Sequence, residues 1–293
     1  MKNEMHSADA ARRTEFGMRP RFTGRLAIIL GLSAATFASA QTTPISISNA
    51  TVYSQNFDTM GTGLTPSYPT GWNGFKFSGG GSIPLGQFVN PETSDGQNNN
   101  GTIYNAGSIG STDRALGSLA SGQITGGFGA VFRNDSGVTI TENFLTISFR
   151  AEQWRRGSSP NFEQWMFEYR VVSVGNDINQ TSSTGWTRVN ALDMFEISNV
   201  GPTSNLNGNA VGNFQNIAPS TLAGLSWGAG DLLIIRWLDT DDGASDSLMA
   251  IDDLSLTYSL TPVPEPATLE LFAGLALSGA FITRLRRPRR QIA

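Results

Sequence analysis

The 293-residue chain contains no cysteine and only one histidine, His6. Without thiols there is no disulfide staple, no Cys nucleophile and no thiolate metal ligand. His6 lies in a leader segment described below, so the rest of the chain also lacks the base of a Ser-His-Asp triad and the imidazoles of a His/Cys zinc site. Charge is sparse, with Asp, Glu, Lys and Arg together making 15% of the residues. Between the two ends no stretch carries a sustained 3.6-residue apolar period, which excludes amphipathic helices as the building material there. The acid-base groups that remain in number are carboxylates.

Those charges are unevenly spread. Of the 20 basic and 24 acidic residues, six and three fall in residues 1–40 and five and two in residues 262–290, leaving nine and nineteen in between, a net charge of −10. A body that acidic repels phosphate backbones, so nucleic acid is not an expected partner, whereas cations are.

Long apolar runs occur only at the ends. Arg19, Arg21 and Arg25 precede the apolar stretch 26–37, and Ala38-Ser39-Ala40 supplies small residues before Gln41. This is the pattern of a secretory signal peptide covering residues 1–40, cleaved between Ala40 and Gln41. Met18 lies just before the basic cluster, and translation from it gives a leader of ordinary proportions. At the other end, Pro264-Glu265-Pro266 is followed by an apolar segment, 267–283, and then by Arg284, Arg286, Arg287, Arg289 and Arg290. Arginines after an apolar span stay in the cytoplasm, which places the preceding chain across the membrane. The span contains Glu270 and is shorter than the roughly 20 residues a bilayer asks for.

In its three parts and their order, this tail resembles the PEP-CTERM sorting signal of Gram-negative bacteria. The resemblance implies that an exosortase-type enzyme recognises Pro264, Glu265 and Pro266 as substrate positions and cleaves near them. It further implies that the body passes through an inner-membrane-tethered stage to the cell surface or an extracellular exopolysaccharide or biofilm matrix. A plain C-terminal anchor is the other reading of the same residues.

The body, residues 41–261, reads as all-β. Leu145, Ile147 and Phe149 alternate with Thr146, Ser148 and Arg150, and Trp165, Phe167, Tyr169 and Val171 alternate with Met166, Glu168, Arg170 and Val172. Leu233, Ile235 and Trp237 repeat the pattern. Weaker strand signals lie at 51–57, 72–77, 115–119, 128–133, 186–189 and 211–217. Polar or Gly-rich loops are expected at 60–71, 79–81, 90–101 and 201–208. Short strands with turn signals between them predict an antiparallel β-sandwich, jelly-roll-like, as a single domain. In the last strand Met249 and Ile251 share one parity and Leu254, Leu256, Tyr258 and Leu260 the other, so a β-bulge is predicted at Asp252-Asp253.

The densest chemistry is the acidic loop from Asp239 to Asp246. Asp239, Asp241, Asp242, Asp246 and Asp252 form a candidate oxygen-donor set for a hard cation such as calcium. Its spacing fails as an EF-hand, because Gly243 and Ala250 stand where ligands are required. A solvated acidic hairpin whose aspartates cap turns is the alternative. The segment 237–256, with its Ile251-Asp252-Asp253-Leu254 strand, resembles the closing hairpin of secreted MAM-like or carbohydrate-binding jelly rolls. Tyr53 to Asp58, leading to Gly71-Trp72, resembles their opening. That resemblance implies architecture more than ligand, since such modules serve many binding roles.

Glu152, Glu163, Glu168 and Glu196 are candidates for a glycosidase carboxylate pair; the alternative is that they pair outward with Arg150, Arg155, Arg156 or Arg170. Of the six tryptophans, Trp165 and Trp237 are in phase with core residues. Trp154, beside Arg155-Arg156, is expected at an exposed strand end as a ligand contact. The resulting expectation is an exported, non-enzymatic binding or structural module with extracellular polysaccharide as a partner. The rivals are a carboxylate-dependent glycan hydrolase and a purely structural matrix protein. Translation from Met18 predicts an unprocessed precursor without residues 1–17, and a precursor mass that includes them rejects that start.

Overall fold

In the computed structural model, residues 43–48, 51–173, 180 and 182–260 are described. The predicted secretory leader, the Ala40–Gln41 junction, Pro264-Glu265-Pro266 and the apolar tail lie outside them. Among the described residues no helix is long and apolar enough to cross a membrane.

Apolar alternation becomes strand wherever the sequence carries it. The first half of the fold contains β1 (Ile45–Ile47), β2 (Val52–Gln55), β3 (Trp72–Ser78), β4 (Glu92–Ser94), β5 (Thr102–Ala106), β6 (Ala115–Leu119), β7 (Thr125–Asn134) and β8 (Ile140–Thr141). The second half contains β9 (Leu145–Arg156), β10 (Gln164–Val172), β11 (Thr187–Arg188), β12 (Met194–Phe195) and β13 (Ser204–Asn205). It closes with β14 (Phe214–Thr221), β15 (Ser226–Trp227), β16 (Leu232–Leu238) and β17 (Leu248–Tyr258). One sheet runs β1-β7-β16-β10-β11, with β3 also on β7 and β12 on β10. A second runs β13-β9-β17-β6-β5-β4, with β14 also on β9 and β2 on β17, and β8 pairs with β15 in a small two-stranded sheet. Pairing is antiparallel except for β1 with β7 and β4 with β5. The fold is the expected jelly-roll-like β-sandwich.

The core lies between the sheets. Phe128, Ala130 and Phe132 of β7, Leu233, Ile235 and Trp237 of β16, and Trp165, Phe167 and Tyr169 of β10 pack in one cluster with Leu145, Ile147, Phe149 and Ala151 of β9 and the apolar face of β17. Trp237 sits at its centre. It stacks with Trp72 and Phe128 at centroid distances of 6.5 and 5.8 Å, while Phe149 and Phe167 meet it edge-on at 5.1 and 5.0 Å. Its indole N–H donates to the Leu192 carbonyl, 3.1 Å away, so no polar atom of the ring is left unpaired.

The predicted bulge in the last strand is present. Between Asp252 and Ser255, β17 advances three residues while β9 advances two, from Arg150 to Ser148. Asp253 takes φ +47°, in the left-handed region that Asp tolerates better than most residues. Met249 and Ile251 before the shift, and Leu254, Leu256 and Tyr258 after it, are thereby all buried in the core. β9 has an irregularity of its own: Leu248 faces Arg155 but Met249 faces Gln153, which leaves Trp154 as an extra residue.

Trp237→Ala is expected to lower the unfolding free energy by about 3–5 kcal/mol in urea denaturation, since the cavity opens where five rings meet. A loss under about 1 kcal/mol would remove Trp237 from its central place.

Candidate functional site

The five aspartates predicted to share a cation do not share a site. Asp239 directly follows β16 and is buried, and its carboxylate accepts hydrogen bonds from the Ser118 hydroxyl at 2.8 Å and the Thr240 backbone N–H at 2.8 Å. Asp246 is buried and accepts from the Asp242 backbone N–H at 3.2 Å, whereas Asp241 is exposed and Asp242 half-buried. Asp252 belongs to a different place, because the β17 bulge sets it opposite Arg150 on β9. Among the described residues no group of three or more Asp, Glu, His or Cys side chains is arranged to hold a metal ion. Asp239 and Asp246 each accept a backbone N–H of this loop, as turn-capping aspartates do.

In place of a cation site, tertiary contacts bring together carboxylates that are far apart in sequence. Glu163 accepts from the Ser247 backbone N–H at 2.7 Å, and Glu196 accepts from the Ser247 hydroxyl at 2.6 Å and the Gln153 side-chain amide at 3.2 Å. The Glu196 N–H in turn donates to the Glu163 carbonyl at 2.9 Å. Glu163 and Glu196 are 0% and 4% exposed, so neither faces a space a glycan could enter. Glu163 Oε1 and Glu196 Oε2 find no hydrogen-bond partner among the described residues.

Burial is the main cause pushing these acids up. The Glu163 carboxyl rises to about 8, with Asp246, Glu196 and Asp242 adding to the rise and the Ser247 N–H opposing it. Burial also lifts Asp246 to about 7, with Asp241 and Asp242 contributing, and holds Glu196 and Asp239 above the ordinary carboxylate range.

The remaining glutamates split. Glu152 is fully buried and is raised to about 7 by burial, despite Arg150 at 3.1 Å and the Trp154 indole N–H at 2.9 Å. Glu168 stands on the outer face of the first sheet and pairs with Arg236 at 2.7 Å, a partner outside the four arginines expected from sequence.

Trp154 does not project into solvent. Two of the loops expected from sequence close over it: a Cβ on Gly208 would lie 2.5 Å from its ring, and one on Gly96 would lie 1.8 Å from its carbonyl oxygen. The ring packs instead with Tyr104, Ala106, Ala115, Leu119, Leu248 and Ala250, on the side of the second sheet away from the main core. β9 continues past the expected end at Arg150 to Arg156, so Trp154 falls inside the strand.

The same 90–101 loop borders a cleft of about 340 Å³. Polar side chains of Thr62, Thr93, Ser94, Asp95, Gln97 and Asn98 line it together with Arg114 and the 107–110 turn, which adds the apolar Ile109. The loop holds its shape by local bonds: the Gly96 N–H donates to Ser94 Oγ at 3.0 Å, the Ser94 hydroxyl to Asn98 Oδ1 at 3.1 Å, and the Gly107 N–H to the Ser94 carbonyl at 2.9 Å. Arg114 was not singled out by sequence reasoning. It precedes β6 with no motif around it, and only the pairing of β6 with β5 sets it beside Asn105.

The buried acids generate a pH dependence. Their folded pKa values lie above the unfolded ones, so the stability they contribute is full below about pH 4 and is lost as pH rises through about 8. The melting temperature is therefore expected to fall between pH 5 and pH 8. In Glu163→Gln that fall should be shallower by several degrees, each pKa unit being worth about 1.4 kcal/mol and each kcal/mol about 2–4 °C at this size. A flat profile for the unaltered chain over that range would show that these carboxyls ionise freely in the fold.

No protein-family model and no curated protein matches this chain. Among solved structures it is similar to the xylan-binding CBM22-1 domain of Xyn10C from Paenibacillus barcinonensis, at 10% identity, covering 71% of this chain and 94% of that one, with a TM-score of 0.33. It is also similar to the K2 cleaved adhesin domain of Lys-gingipain, at 10% identity, covering 71% and 98%, with a TM-score of 0.35. A third is the family 11 carbohydrate-binding module of the Clostridium thermocellum cellulase Lic26A-Cel5E, at 11% identity, covering 67% and 92%, with a TM-score of 0.27.

Proposed function

We propose that this chain is an exported, non-enzymatic module that holds extracellular polysaccharide in the polar cleft between the 90–101 loop and the 107–110 turn. Delivery follows the sequence signals at the two ends. The leader is removed at Ala40, and the tail is processed by an exosortase-type enzyme at Pro264-Glu265-Pro266 after a transient inner-membrane stage. The module then acts at the cell surface or in the exopolysaccharide matrix of a Gram-negative-type bacterium.

The observation that carries the binding reading is the chemistry of the cleft wall. Thr, Ser, Gln and Asn side chains both donate and accept hydrogen bonds, which is what a sugar ring's hydroxyls require. The volume, about 340 Å³, falls at the small end of ligand sites, about 300–1,000 Å³. A hydrolase needs two carboxylates across a space that admits the glycosidic bond. Glu163 and Glu196, which share Ser247, are sealed beneath the loop between β16 and β17, so the pair is better explained as part of the packing.

The unaltered chain is expected to retain at least one class of extracellular polysaccharide in a glycan-array or affinity-gel experiment without releasing reducing sugar. Asn98→Ala, which removes one side-chain amide from the cleft wall, should weaken retention about fivefold, the value of one hydrogen bond of about 1 kcal/mol. Retention of no glycan would leave the structural matrix reading. Sugar release abolished by a single Glu substitution would replace the binding reading with a hydrolase.

A further inference from the structure

Arg114 combines two features that seldom occur together: it is 2% exposed, and among the described residues no carboxylate lies within 4 Å of its guanidinium. Buried charges are ordinarily paired, because removing them from water is costly. Its Nε donates to Asn105 Oδ1 at 2.8 Å and its Nη2 to the Asn105 carbonyl, both neutral acceptors. Nη1 has no hydrogen-bond partner among the described residues and is not among the atoms closed off from solvent. Beside it stands Gly107, where a Cβ would lie 2.3 Å from Nη1. Both residues line the cleft. A side chain at residue 107 would fill the space through which the guanidinium is approached.

The charges that face Arg114 act from further away. Asp58 spends one carboxylate oxygen on the Arg114 backbone N–H, at 3.1 Å, not on the guanidinium. Asp113 and Asp58 oppose the effect of burial on the guanidinium through space. Asp95 also lines the cleft, but its two oxygens accept from the backbone N–H and side-chain amide of Gln97 at 3.2 and 3.3 Å. Among the described residues no carboxylate contacts Nη1.

We propose that Arg114 is the residue that selects the ligand, and that the polysaccharide held in the cleft is an acidic one whose uronate carboxylate pairs with the Arg114 guanidinium beside Gly107. The inference rests on the glycan-binding reading and names the substrate class for it. Hydroxyl and amide groups of Thr93, Gln97 and Asn98 hold the sugar ring. Arg114 supplies the charge-assisted bond that a neutral glycan cannot use.

The test compares polygalacturonate and alginate with their neutral esters, titrated against the unaltered chain at 0.15 M salt. Repulsion from the net-negative body is screened there beyond about 8 Å. The acidic forms are expected to bind about ten- to hundredfold more tightly than the esters, the range of a hydrogen bond between charged groups. Arg114→Gln should erase that difference, as should Gly107→Ala, whose Cβ would displace the guanidinium from its place beside the cleft. The ester comparison uses the native sequence, so it remains decisive if a variant fails to fold. Equal binding of acidic and neutral forms overturns the role of Arg114 while leaving the glycan-binding reading intact. Binding of neither form, nor of any neutral glycan, overturns that reading and this inference with it.

Discussion

The ladder between β9 and β17 is the constraint on which the rest of the fold depends. Both strands are long, and their apolar residues change parity along the way, so a regular ladder would bury half of each and expose the other half. Two irregularities remove the conflict. The extra residue at Asp252-Asp253 returns Leu254, Leu256 and Tyr258 to the core, and the extra residue at Trp154 does the same for register at the other end of β9. Each irregularity has a cost. Asp253 is held at positive φ, while Asp252 is buried and raised to about 8, chiefly by loss of water, with Asp253 and Glu152 adding to it.

Once the ladder is fixed, the two faces of the second sheet have different fates. The inner face joins the aromatic cluster around Trp237, where stacked and edge-on rings fill the space between the sheets without any disulfide. The outer face carries Trp154, Tyr104 and small alanines, and the loops after β4 and β13 close over the tryptophan where glycines permit backbone contact. The polar cleft is a by-product of that closure. The 90–101 loop presents one side to Trp154 and the other to the 107–110 turn, so the residues that cover the sheet also supply the wall of the candidate binding site.

Charge inside the sandwich is handled unevenly. Arg236, buried on the outer face of the first sheet, has a full set of partners: the Glu168 carboxylate, the carbonyls of Gln180 and Ser182, and the Trp186 ring 3.7 Å away. Glu163 and Glu196 have partial sets, drawn from one serine and one glutamine, and their burial favours the protonated form. Among the described residues Arg114 has no carboxylate within 4 Å of its guanidinium, and it lines a cleft. The two arginines thus differ in how completely the described residues satisfy them.

Much of the fold was legible before any coordinates. The alternation in 145–150, 165–172 and 233–237 fixed strand identity and facing, because a period of two leaves no choice once one face is apolar. The parity switch in 249–260 located the bulge for the same reason. Composition ruled out thiol chemistry, and the two ends carry the residue patterns on which the proposal of export rests. What the sequence did not carry was proximity. Asp239, Asp241, Asp242, Asp246 and Asp252 are neighbours along the chain, but the first four divide between the buried and exposed sides of the loop and the bulge sets Asp252 apart, opposite Arg150. Glu163, Glu196 and Ser247 are far apart along the chain and meet, because the start of β10, the end of β12 and the start of β17 come together. Trp154 was misplaced because its cover comes from loops some 50 residues away on either side. Arg114 was passed over because an unpaired charge becomes visible only when its surroundings are known. Local pattern determined the strands and their faces; tertiary structure decided which polar groups share a space, since long-range pairing, not sequence spacing, brings side chains into contact.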